Sequence, residues 1–580
     1  MTWTIEPTTL SRTFRPLAFD RANRGRPIKS RFPLFRLPIE VLHDVAPHIP
    51  SSDLETLALI DRDCRQLARS VQFFSVTLTC SDVSLGILEA LLIEVQEGAR
   101  SEYTQALGPC IRHITIDIGC PALVETRLAR FPTMAAFYNS LTGPKSAQDA
   151  YLRALATILD NSLPNLQSLN WQSRIKIPAE LVQSLTLCAA RHVVIDHAVL
   201  DCYSDAPNFY GSTKWPIESL ALDVEWFPSD WRDTDSCATT IAKMLQATSL
   251  TLETFSWKGT RLPLLLSFGQ ETIDFPRLRT LSLNAVPMQD FSILSSFLSS
   301  TSRITSLEVS SSDTLTVEFL GHRGQIPSLE CFTWLNQSNP LAEEDIITFI
   351  QANPQLHSLS ICQPLPSTTI DTHILPSIKS DFRHVTSLHL VWDSTSIPEI
   401  SLGVIGNLHL LRKLWLSAGN QVGWCNNWEI EHEVVLDVLR PLHQLECLAF
   451  SRDSYKVEGH PLFDSSIEGY YVNSVFPSDV HFQDYLMSDE QSLLNKVTGL
   501  TFHASATFDQ ARYLQIRLRK AAWERWHQQK MVELAKEYAS IFPRLNWCYI
   551  GQYPMRVEQD GNLVVETTFR EENIKQFLIL

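Results

Sequence analysis

The chain has 580 residues, several times the length of one ordinary domain, and 44% of them are hydrophobic, enough for a large core. Its net charge of −16 speaks against broad binding to a phosphate backbone. It contains no apolar run of the roughly 18 residues a membrane span requires, so neither nucleic acid nor membrane is an expected partner. The 12 cysteines include no C-x-x-C pair and no Cys/His cluster of zinc-ligand spacing, so no metal is expected. The N-terminus lacks the apolar core of a secretory signal, and reduced thiols in the cytoplasm, the nucleus or both are the expectation.

Residues 1–33 form a basic stretch with Arg12, Arg15, Arg21, Arg24, Arg26, Lys29 and Arg31. A flexible tail, a nuclear-import patch around Arg24 to Arg31 and an organelle presequence all fit that composition. Residues 34–75 differ. Leu37-Pro38 opens a helix, because proline is tolerated at a first helical position. Ile39, Leu42 and Val45 follow on one face, and Pro47 ends that helix early. Ser52 and Glu55 have capping-box spacing for a second helix bearing Leu54, Leu57, Leu59 and Ile60. A third helix would hold Cys64, Leu67, Ala68 and Val71. So few residues cannot bury a self-sufficient core, so the module should rest on a partner.

The string Leu37-Pro38-x-Glu40-x-Leu42, then Asp53-Leu54, then Cys64-Arg65-x-Leu67-Ala68, resembles an F-box. The resemblance implies docking on the Skp-type adaptor of a cullin–RING ubiquitin ligase. It also implies that Leu37, Pro38, Ile39, Leu42, Leu54, Leu57 and Leu59 form the adaptor-facing or core surface. The other reading is a plain three-helix cap on the end of a solenoid.

From residue 76 to 555 the chain repeats itself. The unit is an apolar residue followed by others three and five positions on, as in Ile111, Ile114, Ile116 or Leu411, Leu414, Leu416. Anchors from Leu252 to Leu411 step by 26, 26, 25, 27, 29 and 26 residues. The later two positions share one face of a short strand, which only stacked neighbours can bury. Helices fill the return path. Tyr151, Leu152, Leu155, Ile158 and Leu159 have helical spacing, as do Phe291, Leu294, Phe297 and Leu298. In the unit of Leu329, Asn339 and Pro340 should start a helix through Ile346, Phe349 and Ile350, which Asn353-Pro354 stops. Weaker units are read at Val497, Leu500, Phe502 and at Leu545, Cys548, Ile550, giving about fourteen strands. The pattern resembles the leucine-rich-repeat family in its longer, helix-backed form. The expected fold is an α/β solenoid: a leucine-rich-repeat horseshoe preceded by a small three-helix F-box module.

In that register, side chains two, four and six positions after each anchor leave the core for the concave sheet face. His389, Trp415, Trp547 and Tyr549 fall there and are candidate substrate-binding anchors, while Trp171, Trp257 and Trp334 should be core. Insertions at 418–432, with Trp424 and Trp428, and at 451–495 lie beside that face and are further candidates. Residues 508–540 read as a long basic helix with Leu514, Leu518, Ala522, Trp526 and Leu534 as its apolar stripe. Residues 556–580 should form a hairpin around Asp560-Gly561 that caps the sheet.

No P-loop, dinucleotide fingerprint or nucleophile elbow occurs, so no catalytic residues and no cofactor are expected. With the two resemblances, the expected function is substrate recognition for a cullin–RING ligase. The module docks a Skp-type adaptor, and through it a cullin, while the repeats hold a protein substrate. The alternatives are an interaction scaffold without ligase role, or a small-molecule sensor with a pocket near Trp415.

Overall fold

The computed structural model describes residues 19–24, 26–97, 106–119, 130–140, 146–200, 215–225, 234–259, 266–268, 273–299, 303–310, 314–335, 343–419, 428–454, 476–477, 479–498, 505–558 and 563–567. The chain divides into two compact units, Pro7–Phe319 and Leu320–Leu580 with Met1–Glu6.

The first unit opens with helices at Phe19–Ala22, Ile39–Val45, Ser51–Ile60 and Arg62–Gln72. Pro47 falls in a single 3-10 turn, Ala46–His48, which ends the helix that begins after Pro38. The expected Ser52/Glu55 capping box does not form. Pro50 is the N-cap there, and the Ser52 hydroxyl meets Asp53 instead. The cap sits one helix later, where Asp61 Oδ1 accepts from the Cys64 amide at 2.8 Å. Burial alone would raise the Asp61 pKa, but hydrogen bonds from Cys64 and Ser30 outweigh it and lower it.

Phe19, Leu42, Ala46, Leu54, Leu57, Cys64, Leu67 and Ala68 form the core of this module. The basic stretch is therefore not wholly a loose tail. Phe19 and Ala22 are buried, and Asp63 Oδ2 accepts from the Lys29 and Ser30 amides, both at 2.7 Å.

Behind the module runs a parallel ladder of strands at Ser75–Leu78, His113–Ile116, Ser168–Trp171, His192–Leu200, Ser219–Glu225, Thr254–Lys258, Thr280–Asn284 and Ser306–Ser310. Registers place Val76, Ile114, Leu169, Val193, Leu220, Phe255, Leu281 and Leu307 in one row. Leu78, Ile116, Trp171, Ile195, Leu222, Trp257, Leu283 and Val309 form a second row. All sixteen are buried, each contributing about 1.5–3 kcal/mol of hydrophobic stabilisation. Trp171 and Trp257 are core, as their register requires. The ladder's first strand follows the last module helix directly, and Phe73, Val76 and Leu78 carry the same spacing there.

The second unit repeats the arrangement with strands Cys331–Leu335, Ser358–Leu365, Ser387–Trp392, Lys413–Ser417, Cys447–Ser451 and Trp547–Ile550. Its inward row runs Phe332, Leu359, Leu388, Leu414, Leu448, Cys548, and Trp334 is fully buried beside it. Of the weaker unit read at Val497, Leu500 and Phe502, Val497 lies in a helix, Ser488–Thr498, while Leu500 and Phe502 lie outside the described residues. Cys447 pairs directly with Trp547, so the chain between these two strands, 452–546, is one excursion.

One hydrogen-bond motif fixes each step in both units. The carbonyl just after each anchor accepts two amides from the following strand. Arg412 O takes Glu446 N at 2.7 Å and Cys447 N at 2.9 Å; Glu218 O takes Glu253 N and Thr254 N likewise. Helices on the return path follow their sequence signals. Ala147–Asn161 carries a Ser146/Asp149 capping box, and Glu343–Gln351 has three acids in its first turn. The expected start at Asn339 and Pro340 lies outside the described residues. Asn353 is fully buried; its Oδ1 accepts from Ile326 N at 2.8 Å, and its Nδ2 donates to Phe349 O at 2.7 Å and Gly324 O at 3.2 Å.

The excursion contains the long helix, Ser505–Ile541, and antiparallel strands Tyr553–Glu558 and Val564–Thr567 follow Trp547–Ile550 and cover its free edge, while residues 568–580 lie outside the described residues.

Candidate interaction surface

The outward strand face has a different character in each unit. In the first it carries small hydroxyls and ion pairs. The His113 ring and Ser168 Oγ lie 2.6 Å apart, and Ser282 Oγ donates to Glu308 at 2.7 Å. Burial, against that hydrogen bond, raises the Glu308 pKa. Asp196, His197 and Asp223 cluster with ligand atoms within 4.8 Å of one another. The Lys258 ammonium, 2.7 Å from Asp223, already supplies the cation there.

In the second unit the same face turns aromatic. His389 and Trp415 are register partners, with ring centroids 4.1 Å apart and planes 10° from parallel. Ser360 Oγ is 3.0 Å from His389 Nδ1, and Trp415 Nε1 donates to Ser451 Oγ at 3.0 Å. The next strands place Ala449 and then Tyr549 in Trp415's row. Two strand spacings, about 9–10 Å, therefore separate the Trp415 and Tyr549 backbones across an alanine. Trp547 stacks beside Tyr549, centroids 6.4 Å apart. Trp415, Trp547 and Tyr549 are half-buried, as anchors of an interface are before a partner covers them.

Two of the expected anchors are not exposed. His389 keeps 8% of its surface, because all six residues of its strand are buried on both faces. Burial pushes its imidazole down to about 3, so it is neutral at physiological pH. Trp428 keeps 3%: its backbone pairs with Asp453 and its ring meets Phe450 edge-on at 5.8 Å. It is part of the core beside Phe450. Trp424 lies outside the described residues.

The N-terminal module splits its candidates too. Leu42, Leu54 and Leu57 are core, and Ile39 packs partly against them. Leu37 and Pro38 are exposed, and Leu59 is 79% exposed. The structure adds Val41, Val45 and Ile60, also exposed. Leu37, Val41 and Val45 are spaced by four, which was the available signal. The expected one-face grouping of Ile39, Leu42 and Val45 instead divides between core and solvent.

These ladders define the class of the chain: an α/β solenoid of leucine-rich-repeat type. No family model matches the sequence, and no curated protein matches it. Among solved structures, an internalin of Listeria monocytogenes aligns over 56% of this chain and 84% of its own, at 15% identity and a TM-score of 0.28. The assignment of the fold rests on the strand registers described above.

Proposed function

We propose that this chain is a non-catalytic substrate receptor of a cullin–RING ubiquitin ligase. The carrying observation is the set of apolar side chains that the N-terminal module leaves uncovered: Leu37, Val41, Val45, Leu59 and Ile60. Exposed apolar side chains gathered in one short segment, rather than scattered singly, favour a surface that a partner covers. The resemblance of its sequence to an F-box supplies that partner, a Skp-type adaptor that bridges to a cullin. The solenoid then holds a protein target, with Trp415, Trp547 and Tyr549 as anchors, and raises its concentration near the transferring subunits. Reduced thiols suit a cytoplasmic or nuclear setting. The test is direct mixing of the purified full chain with a Skp-type adaptor. A stable complex in gel filtration supports the reading, and its absence at micromolar concentrations sinks the ligase role.

A plain interaction scaffold is favoured instead if the module serves only to cover the first strand. The tie of Gln66 Nε2 to Ala22 O at 2.8 Å and Ala106 O at 3.0 Å supports that second reading, because it joins the module to the segment entering the next strand.

A further inference from the structure

The long helix Ser505–Ile541 has one face that changes character along its length. At about 100° per residue, Arg519, Arg512, Ile516, Lys520, Tyr513 and Arg517 follow one another round the axis within an arc of about 160°. All six are exposed, Tyr513 at 71% and Ile516 at 59%. Continued toward the C-terminus, the same arc holds Trp523 and His527, which are buried and stacked with centroids 4.7 Å apart. There the turn and strand after Ile550 cover it: His527 Nε2 meets Gly551 O at 2.8 Å, and Tyr553 Oη donates to Glu524 O at 3.3 Å. The opposite side of the helix is occupied as well. Leu518, Ala522 and Trp526 are buried, the last two packing with Phe476.

The open stretch is also unbalanced in charge. Residues 511–523 contain four cations and no acid, in a chain of net charge −16. Further along, cations are paired: Arg525 with Glu490 at 2.6 Å and Lys530 with Glu533 at 2.9 Å. Among the described residues, Arg512, Arg517, Arg519 and Lys520 have no such partner.

We propose that this face is a docking surface for an acidic protein segment carrying apolar side chains. The cations would meet its carboxylates, and Tyr513 and Ile516 its apolar groups. Charge complementarity selects this occupant. A nucleic acid would leave the two large apolar side chains of the arc facing phosphate, whereas carboxylates and apolar groups on one segment match both. The surface lies outside the strand face and does not depend on adaptor docking.

The experiment uses the purified full chain and a short fluorescein-labelled peptide alternating Glu with Leu and Phe, read by anisotropy. Saturable binding should weaken about tenfold in Arg517→Glu/Lys520→Glu and to a similar degree in Tyr513→Ala/Ile516→Ala. It should also weaken as salt is added. All four side chains are exposed, so unchanged melting curves would show that each variant is folded. Equal affinity of wild type and both variants overturns the proposal, as does equal binding of the peptide with Lys in place of Glu. Tighter binding of a single-stranded RNA would reassign the face to nucleic acid. An about tenfold gain on removing residues 568–580 would assign it to the chain's own C-terminal segment.

Discussion

Trp415 lies flat on His389, 4.1 Å between ring centroids, so a side chain that meets solvent rests on one that does not. The two come from neighbouring strands in register, and each is pinned from its other side: His389 by Ser360, Trp415 by Ser451. A half-buried indole fixed in this way has little rotamer freedom to lose when a partner arrives, which favours binding.

Burial keeps this imidazole neutral, and the second unit has two more like it. Burial pushes His389 and His432 down to about 3, and His527 to about 4 although its hydrogen bond to Gly551 opposes the shift. In the unfolded chain each titrates near 6.5. The unfolded state thus binds more protons between those values, and stability rises with pH there. It is complete above about pH 6.5 and is lost progressively as pH falls toward 3. At pH 5 the loss should be on the order of 2 kcal/mol per histidine. Urea unfolding at pH 7.5 and 5.0 measures it, and His389→Gln should show a smaller difference than wild type. Identical pH dependence of the two proteins would refute the assignment to His389.

Trp415→Ala and Tyr549→Ala test the strand face as a binding surface. Both side chains are half-buried, so their loss should cost the fold little beside a core tryptophan, whereas Trp257→Ala should cost about 3–5 kcal/mol. If the face holds the target, each should reduce capture of proteins that co-purify with wild type, by at least about 2 kcal/mol in affinity for a true anchor. Undiminished capture by the double variant would move the target site elsewhere.

The sequence revealed the solenoid because its signal is a repeated spacing, and each anchor's neighbours confirm its register. It revealed the core tryptophans for the same reason: Trp171, Trp257 and Trp334 sit at a position whose direction the strand fixes. What it could not reveal is coverage. His389 and Trp415 occupy equivalent positions in adjacent strands, yet His389 is covered and Trp415 is only half so, because burial of an outward residue depends on its neighbours. Trp428 was misplaced because residues 428–429 pair with 453–454, a contact no local pattern announces. The weak Val497 spacing is a poor guide for another reason: Val497 itself lies in a helix, and Cys447 pairs directly with Trp547, so no further strand of the ladder stands between those two.

Asn353 should be among the least replaceable polar residues of the second unit. It is fully buried and joins the backbone at Gly324, Ile326 and Phe349, closing the loop between one helix end and the strand entry before it. Asn353→Ala strands the Ile326 amide and two carbonyls, and should cost about 2–4 kcal/mol. Asn353→Asp keeps the acceptor for Ile326 but sets a carboxylate against the Gly324 and Phe349 carbonyls. It should therefore recover little at neutral pH. Chemical denaturation of both variants decides it. Wild-type stability of Asn353→Ala would show that the hydrogen bonds contribute nothing net.

The N-terminal module allows folding and docking to be separated by choice of residue. Leu54 is core, packed with Leu57, Leu67 and Phe19, so Leu54→Ala should destabilise the module by about 2–5 kcal/mol whatever it binds. Leu59 is 79% exposed and Val41 is 40% exposed, so Leu59→Asp and Val41→Asp remove little from the folded chain. If a Skp-type adaptor covers these residues, each aspartate buries a charge in an apolar interface and should reduce adaptor binding by at least tenfold. Melting would stay at the wild-type temperature. If the helices only cap the solenoid, the aspartate variants should behave like wild type in every assay and only Leu54→Ala should matter. Isothermal titration with the adaptor, run beside thermal melts of the three variants, distinguishes the two: loss of binding without loss of stability at Leu59 and Val41 is the result a cap cannot produce.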